Sequence, residues 1–355
     1  MIRVLVVDDS AVIRTLLKRS LAKDPRIEIV GEAYDGKGAI EQNRLLKPDV
    51  ITMDIYMPVM DGIEATKRIM QESPAAIMIF STEDSARMGY AALEAGAVDM
   101  FKKPDLTHFS PDFYRQFIER IVAITENGHK SPVFAKRAGG VSPFAKPAAA
   151  VERKRVIAPV DKGERDLLVI GASTGGPVAV QQVLAKLGRD FPYPVLITQH
   201  IDASFDRHYA SWLADTTGMN VTIAENNKVI VPGTVYVAPA NCHLTVGSRS
   251  AAGYITRLVD DPPLNYLKPA VDYLFKSAAK VAGSHCIAVL LTGMGRDGAA
   301  GCADIHKCGG YTIAEAEETC VVFGMPKAAI ELGGASSVLP VYDIALFVRN
   351  MAGLN

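Results

Sequence analysis

Val169-Ile170-Gly171-Ala172-Ser173-Thr174-Gly175-Gly176-Pro177 runs from an apolar strand through a turn of small residues into the start of a helix. A strand that ends this way, repeated, builds a parallel α/β sheet, so this stretch sets the fold class of the second half of the chain. The turn leaves the Ser173 hydroxyl at the carboxyl end of a strand beside free backbone N–H groups. A hydroxyl so placed could attack a carbonyl and have the resulting oxyanion held. The same turn could instead hold a phosphate, or cap the helix through Ser173 or Thr174. Whether the chain also supplies a base and an orienting acid decides between these readings.

Outward from Ser173, Leu167–Gly171, Pro194–Gln199, Thr234–Ala238, Ile287–Leu291 and Thr312–Ala314 read as core strands. Val178–Leu187, Arg207–Thr216, Ala270–Ala282 and Gly298–Cys308 carry apolar residues at helical spacing. His243–Ser248 and Tyr254–Val259, around a turn at Gly253, predict a β-hairpin appended to the sheet. The first half shows the same rhythm. Ile2–Val7, Glu28–Ala33, Val50–Met53, Ala76–Phe80 and Asp99–Phe101 read as strands, and Ala11–Ala22, Gly38–Leu46, Gly62–Gln71, Ala86–Ala95 and Pro111–Thr125 as helices. The expected fold is therefore α/β, with two doubly wound parallel-sheet domains at 1–125 and 165–355. Between them, 126–164 collects Pro132, Pro143, Pro147 and Pro159 with Lys136, Arg137, Lys146, Arg153, Lys154 and Arg155, the composition of a semi-extended linker.

A length of 355 residues suits two domains of ordinary size, and a net charge of -1 argues against a broadly basic nucleic-acid binder. Met1–Val7 is too short for a signal-peptide core, and no apolar stretch approaches a membrane span. A soluble, intracellular chain without membrane insertion is expected. The five cysteines, Cys242, Cys286, Cys302, Cys308 and Cys320, form no CxxC pair and read as reduced.

In the first domain Asp8 and Asp9 end the first strand, Asp54 the third and Ser81 the fourth, while Lys103 follows the fifth. Parallel strands bring these ends into one crevice. Three carboxylates there repel one another, and a hard divalent cation such as Mg2+ is the natural neutraliser. A carboxylate beside that metal could attack a phosphoryl group whose oxygens Ser81 and Lys103 hold. Val7-Asp8-Asp9-Ser10, Met53-Asp54-Ile55-Tyr56-Met57-Pro58, Met60-Asp61-Gly62, Ser81-Thr82 and Lys102-Lys103-Pro104 make the domain resemble the flavodoxin-like receiver of two-component response regulators. The resemblance implies phosphorylation of Asp54, Mg2+ at Asp8, Asp9, Asp54 and the Tyr56 carbonyl, and Ser81 and Lys103 as the phosphoryl switch. It also implies a candidate cis peptide at Lys103-Pro104.

In the second domain, His200 closes Val195-Leu196-Ile197-Thr198-Gln199, and Asp297 lies in Leu291-Thr292-Gly293-Met294-Gly295-Arg296-Asp297-Gly298 after another strand. Histidine suits a general base, and a carboxylate fixes its tautomer, so Ser173, His200 and Asp297 supply the three roles in order. Each also has a plain reading: His200 as a satisfied strand-end histidine, Asp297 as a helix N-cap. Gly171-x-Ser173-x-Gly175 matches the nucleophile-elbow string, but α/β-hydrolases place the acid before the histidine, and this chain reverses that order.

Gly171–Pro177, Gln199-His200, Pro232–Pro239, Lys268–Asp272, Leu291–Gly301 and Cys320–Pro326 make this Rossmann-like domain similar to the bacterial chemotaxis protein-glutamate methylesterase and glutamine deamidase family, whose receiver–linker–esterase order the chain shares. The resemblance implies Ser173 as nucleophile, His200 as base and Asp297 as orienting acid. Backbone N–H groups near Thr174 and Met294 would form the oxyanion hole, with His243 as a cleft contact or a hairpin packing residue. It further implies methyl-accepting chemotaxis receptors as substrate, a histidine kinase as phosphodonor and no cofactor for the esterase step. A cytoplasmic monomer, inhibited by its unphosphorylated receiver, is implied as well. The chain departs from the family at Ile201–Leu213, Asn226-Asn227 and Asn265–Lys268, which alters the rim of the cleft rather than the three central residues. The sequence also admits two other readings: a phosphorylation-controlled binding module, and a nucleotide site that would lack a Walker lysine.

Overall fold

A computed structural model describes residues 1–82, 86–104, 110–128, 164–202 and 205–354. The chain divides into two compact units, Met1–Ala145 and Lys146–Asn355. Apart from 126–128 and Glu164, the expected linker lies outside the described residues.

The first unit runs β1 (Ile2–Val7), α1 (Ala11–Leu21), β2 (Ile27–Ala33), α2 (Gly36–Leu46), β3 (Val50–Met53), α3 (Gly62–Glu72), β4 (Ala76–Ser81), α4 (Ala86–Glu94), β5 (Asp99–Lys102) and α5 (Pro111–Gly128). Its strands pair in parallel in the order β2-β1-β3-β4-β5. Every residue of β3 and β4 is buried, as a strand covered by helices on both faces requires. Ser10, Asp35 and Asp61 start α1, α2 and α3 by accepting the N–H of Ile13, Gly38 and Glu64. The chain leaves β1 for β2 on one side and returns to β3 on the other. The crevice outside β1 and β3 is therefore the switch point of the sheet, and Asp8, Asp9 and Asp54 follow those two strands.

The second unit continues with β6 (Leu167–Ala172), α6 (Gly176–Leu187), β7 (Val195–Gln199), α7 (Asp206–Thr217), β8 (Asn220–Ile223), β9 (Thr234–Val237), β10 (His243–Ser250) and β11 (Gly253–Val259). It closes with α8 (Val271–Val281), β12 (Cys286–Leu290), α9 (Ala299–Lys307), β13 (Tyr311–Glu315), α10 (Met325–Glu331), β14 (Ser337–Leu339) and α11 (Val341–Met351). Seven parallel strands lie in the order β14-β13-β12-β6-β7-β9-β8. The winding reverses at β6, whose neighbours are β7 and β12, so the loops after these three strands meet at one edge.

β8, β14, α10 and α11 are additions to the sequence reading. β8 is a half-exposed edge strand and β14 has three residues, too short for either to show a period. The hairpin pairs with itself as a separate two-stranded sheet and does not extend the seven strands. Instead it covers α8: Leu244, Val246 and Tyr254 share one core with Val271, Leu274, Phe275 and Ala278, and the Val246 N–H donates to Ser277 Oγ at 2.9 Å.

α8 lies close enough to the sheet that a Cβ on Gly171 would stand 2.3 Å from Val271 Cγ1. Gly171→Ala should therefore destabilise the second unit by roughly 1–3 kcal/mol through overpacking. Gly38→Ala, inside α2 with open contacts of 3.4 Å, should leave the first unit as stable or make it more so. Thermal unfolding of both variants checks this, and an unchanged transition for Gly171→Ala would contradict the close approach.

Candidate functional site

In the first unit Lys103 Nζ sits between two carboxylates, 2.7 Å from Asp8 Oδ2 and 2.7 Å from Asp54 Oδ2. Asp8 and Asp54 are buried and Asp9 is exposed, and one ligand atom from each of the three lies within 4.8 Å of the others. Burial pushes the Asp54 carboxyl up to about 6 and raises that of Asp8, against the pull of Lys103. A single ammonium leaves this cluster under-compensated. An all-oxygen set this tight suits a hard divalent cation, so the residues present fit Mg2+. Ser81 Oγ, at the end of β4, is buried with no hydrogen-bond partner among the described residues, as expected of a group kept for a ligand. Gly62 allows the return of the loop after Asp54: a Cβ there would stand 2.0 Å from the Asp54 carbonyl oxygen. The cis peptide among the described residues is Lys268–Pro269, so Lys103–Pro104 is trans, the form an unconstrained X–Pro bond prefers.

In the second unit Ala172 pairs with Gln199 across β6 and β7, and the next residues along those strands are Ser173 and His200. Neighbouring strands lie about 4.8 Å apart, so the register alone makes these two residues neighbours. Gln199 Nε2 locks the arrangement by donating to the carbonyls of Ser173 (2.8 Å) and His200 (3.1 Å). His200 Nε2 lies 2.8 Å from Asp297 Oδ2, leaving Nδ1 as the other basic position of the ring. Asp297 is itself held by α8, whose Val271 N–H reaches Oδ2 at 2.6 Å and whose Asp272 N–H reaches Oδ1 at 3.0 Å; Gly298 N–H adds a third contact at 3.0 Å. Burial would raise the Asp297 carboxyl, but His200 and the Asp272 and Val271 N–H groups outweigh it and hold the group below its ordinary value. Asp297 is thus both triad-like acid and helix cap, though the helix it caps is not the one that follows it.

Gly293 brings the loop after β12 onto Ser173, since a Cβ there would meet Ser173 Cβ at 2.6 Å. Ser173 N–H donates to the Thr292 carbonyl at 3.0 Å. The N–H groups of Thr174 and Met294, by contrast, have no acceptor among the described residues. Two free donors beside a strand-end hydroxyl are what an oxyanion needs. His243 is different: it is fully buried, its Nε2 meets the Pro262 carbonyl at 3.2 Å and its Nδ1 accepts the Ala270 N–H at 3.1 Å. With both nitrogens engaged and no exposed surface it fits the second of its two readings, a packing residue behind the hairpin.

Sequence reasoning missed Gln199 as a clamp, and it missed Thr292 and Glu315. Glu315 ends β13 inside the protein, where Oε2 accepts the Thr292 N–H at 2.7 Å and Oε1 the Thr319 hydroxyl at 2.8 Å. Thr292 Oγ1 donates onward to the Thr174 carbonyl at 3.0 Å. The signal was available in the form of an acid closing the apolar run Thr312-Ile313-Ala314.

Residues 168–348 match the family model of the CheB methylesterase, and residues 4–109 that of the response regulator receiver domain. The protein-glutamate methylesterase/protein-glutamine glutaminase 1 of Carboxydothermus hydrogenoformans is 42% identical over 349 residues, 97% of each chain. The corresponding protein of Halalkalibacterium halodurans is 40% identical over 333 residues, 93% of this chain and 92% of its own. The crystal structure of the Thermotoga maritima CheB methylesterase catalytic domain is similar at 39% identity with a TM-score of 0.51, covering 53% of this chain and 100% of that one. Fold and matches together define a response-regulator receiver joined to a methylesterase domain, both on parallel α/β sheets. The chain belongs to the protein-glutamate methylesterase/protein-glutamine glutaminase family.

Burial pushes Glu315 up to about 7 from its ordinary 4.5, so the folded protein holds this proton more tightly than the unfolded chain. The stability it contributes is complete below about pH 4.5 and is lost as pH rises to about 7. Relative to Glu315→Gln, the wild type should therefore lose up to about 3 kcal/mol between pH 5 and pH 8. Trp212, the single tryptophan, lies in the second unit and reports its urea unfolding. Identical pH dependence in the two proteins would refute the assignment.

Proposed function

We propose that this chain hydrolyses glutamate γ-methyl esters on methyl-accepting chemotaxis receptors, releasing methanol, and deamidates selected glutamines, with Ser173, His200 and Asp297 as the catalytic triad. The observation that carries this reading is the 2.8 Å pair of His200 and Asp297 at the sheet edge where the register sets Ser173 beside His200. Ser173 Oγ attacks the γ-carbonyl carbon as its proton passes to His200 Nδ1. Asp297, held ionised by α8, stabilises the imidazolium through Nε2–H. The N–H groups of Thr174 and Met294 take the oxyanion. Collapse of the tetrahedral species expels the methoxy group, which leaves as methanol with the proton from His200, and a glutamyl ester of Ser173 remains. Water, deprotonated by His200, then cleaves that ester and restores the hydroxyl. With a glutamine substrate the leaving group is ammonia. Nucleophile, base, acid and oxyanion donors all belong to the chain, so the step calls for no cofactor and no second copy of the protein.

The receiver would supply the switch. Asp54 accepts a phosphoryl group from a chemotaxis histidine kinase in the cytoplasm, and the unphosphorylated receiver inhibits the esterase domain. A Mg2+ ion held by Asp8, Asp9, Asp54 and the Tyr56 carbonyl would neutralise the charge that gathers there. Lys103, which bridges Asp8 and Asp54, and the Ser81 hydroxyl, which has no hydrogen-bond partner among the described residues, would hold the phosphoryl oxygens. Among the described residues no helix is long and apolar enough to cross a membrane.

Methanol release from methyl-labelled receptor membranes tests the chemistry. Asp297→Asn should lower kcat by roughly 10³- to 10⁴-fold and Ser173→Ala by at least as much, while a fluorophosphonate should label Ser173 alone. Wild-type turnover by Ser173→Ala would end this reading. For the switch, a small-molecule phosphodonor should raise activity in the presence of Mg2+. Chelation or Asp54→Asn should abolish the rise and leave the basal rate. Removal of residues before Asp166 should raise that basal rate without phosphodonor, and an unchanged rate would count against inhibition by the receiver.

A further inference from the structure

Three consecutive N–H groups open the first turn of α8, and all three are taken by side chains from elsewhere in the unit. Ala270 gives its N–H to His243 Nδ1, and Val271 and Asp272 give theirs to Asp297. Ala270 is the N-cap and offers no capping side chain of its own. The aim of this turn therefore depends on the two residues that grip it, and Asp297 is also the partner of His200. His243 holds the turn twice, by the hydrogen bond to Ala270 and by stacking on Tyr273 of the same helix, with ring centroids 3.7 Å apart and planes 12° apart. Its other nitrogen ties the turn to the Pro262 carbonyl in the segment leading from β11 to α8. His243 is itself the first residue of β10, whose next apolar side chains pack on α8.

We propose that His243 is a positioning residue for the hydrolysis: as the neutral Nε2–H tautomer it sets the first turn of α8, so that the Val271 and Asp272 N–H groups hold Asp297 in line with His200. The proposal rests on the triad reading above. The tautomer follows from geometry, because a nitrogen that accepts from the Ala270 N–H carries no proton, and the proton must then lie on the nitrogen that faces the Pro262 carbonyl. Burial lowers the pKa of the ring, in keeping with the neutral form. Without the Nδ1 acceptor the Ala270 N–H is left buried and unpaired. The turn would then rotate toward another acceptor and carry the two neighbouring N–H groups away from Asp297.

Asparagine and glutamine separate the two nitrogens. His243→Asn places a carbonyl near the position of Nδ1 and keeps the acceptor for Ala270. His243→Gln places an amide N–H near the position of Nε2 and loses that acceptor. In the full-length chain His243→Gln should lower kcat by roughly 10- to 100-fold with KM within about threefold, whereas His243→Asn should stay within a few-fold of the wild type. The low-field proton resonance of the His200 Nε2–H bonded to Asp297 should broaden or vanish in His243→Gln and persist in His243→Asn. Equal kcat losses in the two variants, or an intact resonance in His243→Gln, would overturn the proposal. If His243→Gln does not fold, His243→Asn is read alone: kcat within a few-fold supports the proposal and a tenfold fall overturns it. Fluorophosphonate labelling keeps the two readings apart. A wild type unlabelled at Ser173 rejects the triad, while labelling of wild type and His243→Gln at one rate rejects only the role of His243.

Discussion

The Asp297 carboxylate is the charge around which the second unit is organised. It is buried, and a buried ion costs several kcal/mol unless hydrogen bonds and a counter-charge replace the lost water. Three backbone N–H groups and the His200 ring do so, and the helix dipole of α8 adds to them. Because the carboxylate is saturated it stays ionised, and because it stays ionised it can stabilise an imidazolium on His200. The same contacts fasten the loop after β12 to the start of α8. Stability of the fold and the setting of the His200 ring therefore rest on one group.

Other buried acids in the chain show what happens without such saturation. Glu315 is buried more deeply than Asp297, and the Thr292 N–H, the Thr319 hydroxyl and the Cys320 thiol beside it do not offset that burial, so the carboxyl is driven toward neutrality. Asp54 and Asp8 share one ammonium between them, and both are raised. Burial pushes all of these carboxyls up, and only at Asp297 do the donors and the His200 ring outweigh it. A saturated carboxylate suits fixed structural and catalytic work. An under-compensated pair is open to a metal ion and to a phosphoryl group, which is the work expected of Asp54.

Both units solve the placement problem in the same way. A parallel sheet wound in two directions leaves a crevice beside its first strand, and in each unit the reactive groups follow the central strands at that crevice. What differs is the turn chemistry. In the first unit side-chain N-caps at Ser10, Asp35 and Asp61 satisfy their own helices. In the second, Gly175, Ala270, Gly298 and Gly324 leave the helix starts without such caps. Their N–H groups are then available to tertiary partners, and the loops can come close enough for Gly293 to pack against Ser173.

The sequence by itself determined the α/β class, nearly all of the long elements, the positions of Asp8, Asp9, Asp54, Ser81, Lys103, Ser173 and His200 at strand ends, and that of Asp297 in the loop after β12. Strand and helix periods are local, and in a parallel sheet the carboxyl ends converge, so these residues were legible without coordinates. The short edge strands β8 and β14 were not, because three or four residues carry no measurable period. Only the tertiary structure decided how the side chains are satisfied. That α8 is capped by Asp297, that Gln199 clamps two neighbouring carbonyls, that Glu315 braces Thr292 and that His243 is buried with both nitrogens engaged all depend on partners between one and 27 positions away. Hydrogen bonds to backbone groups leave no pattern in the residue types of the donors, and a buried carboxylate or imidazole reads the same as an exposed one until its neighbours are in place.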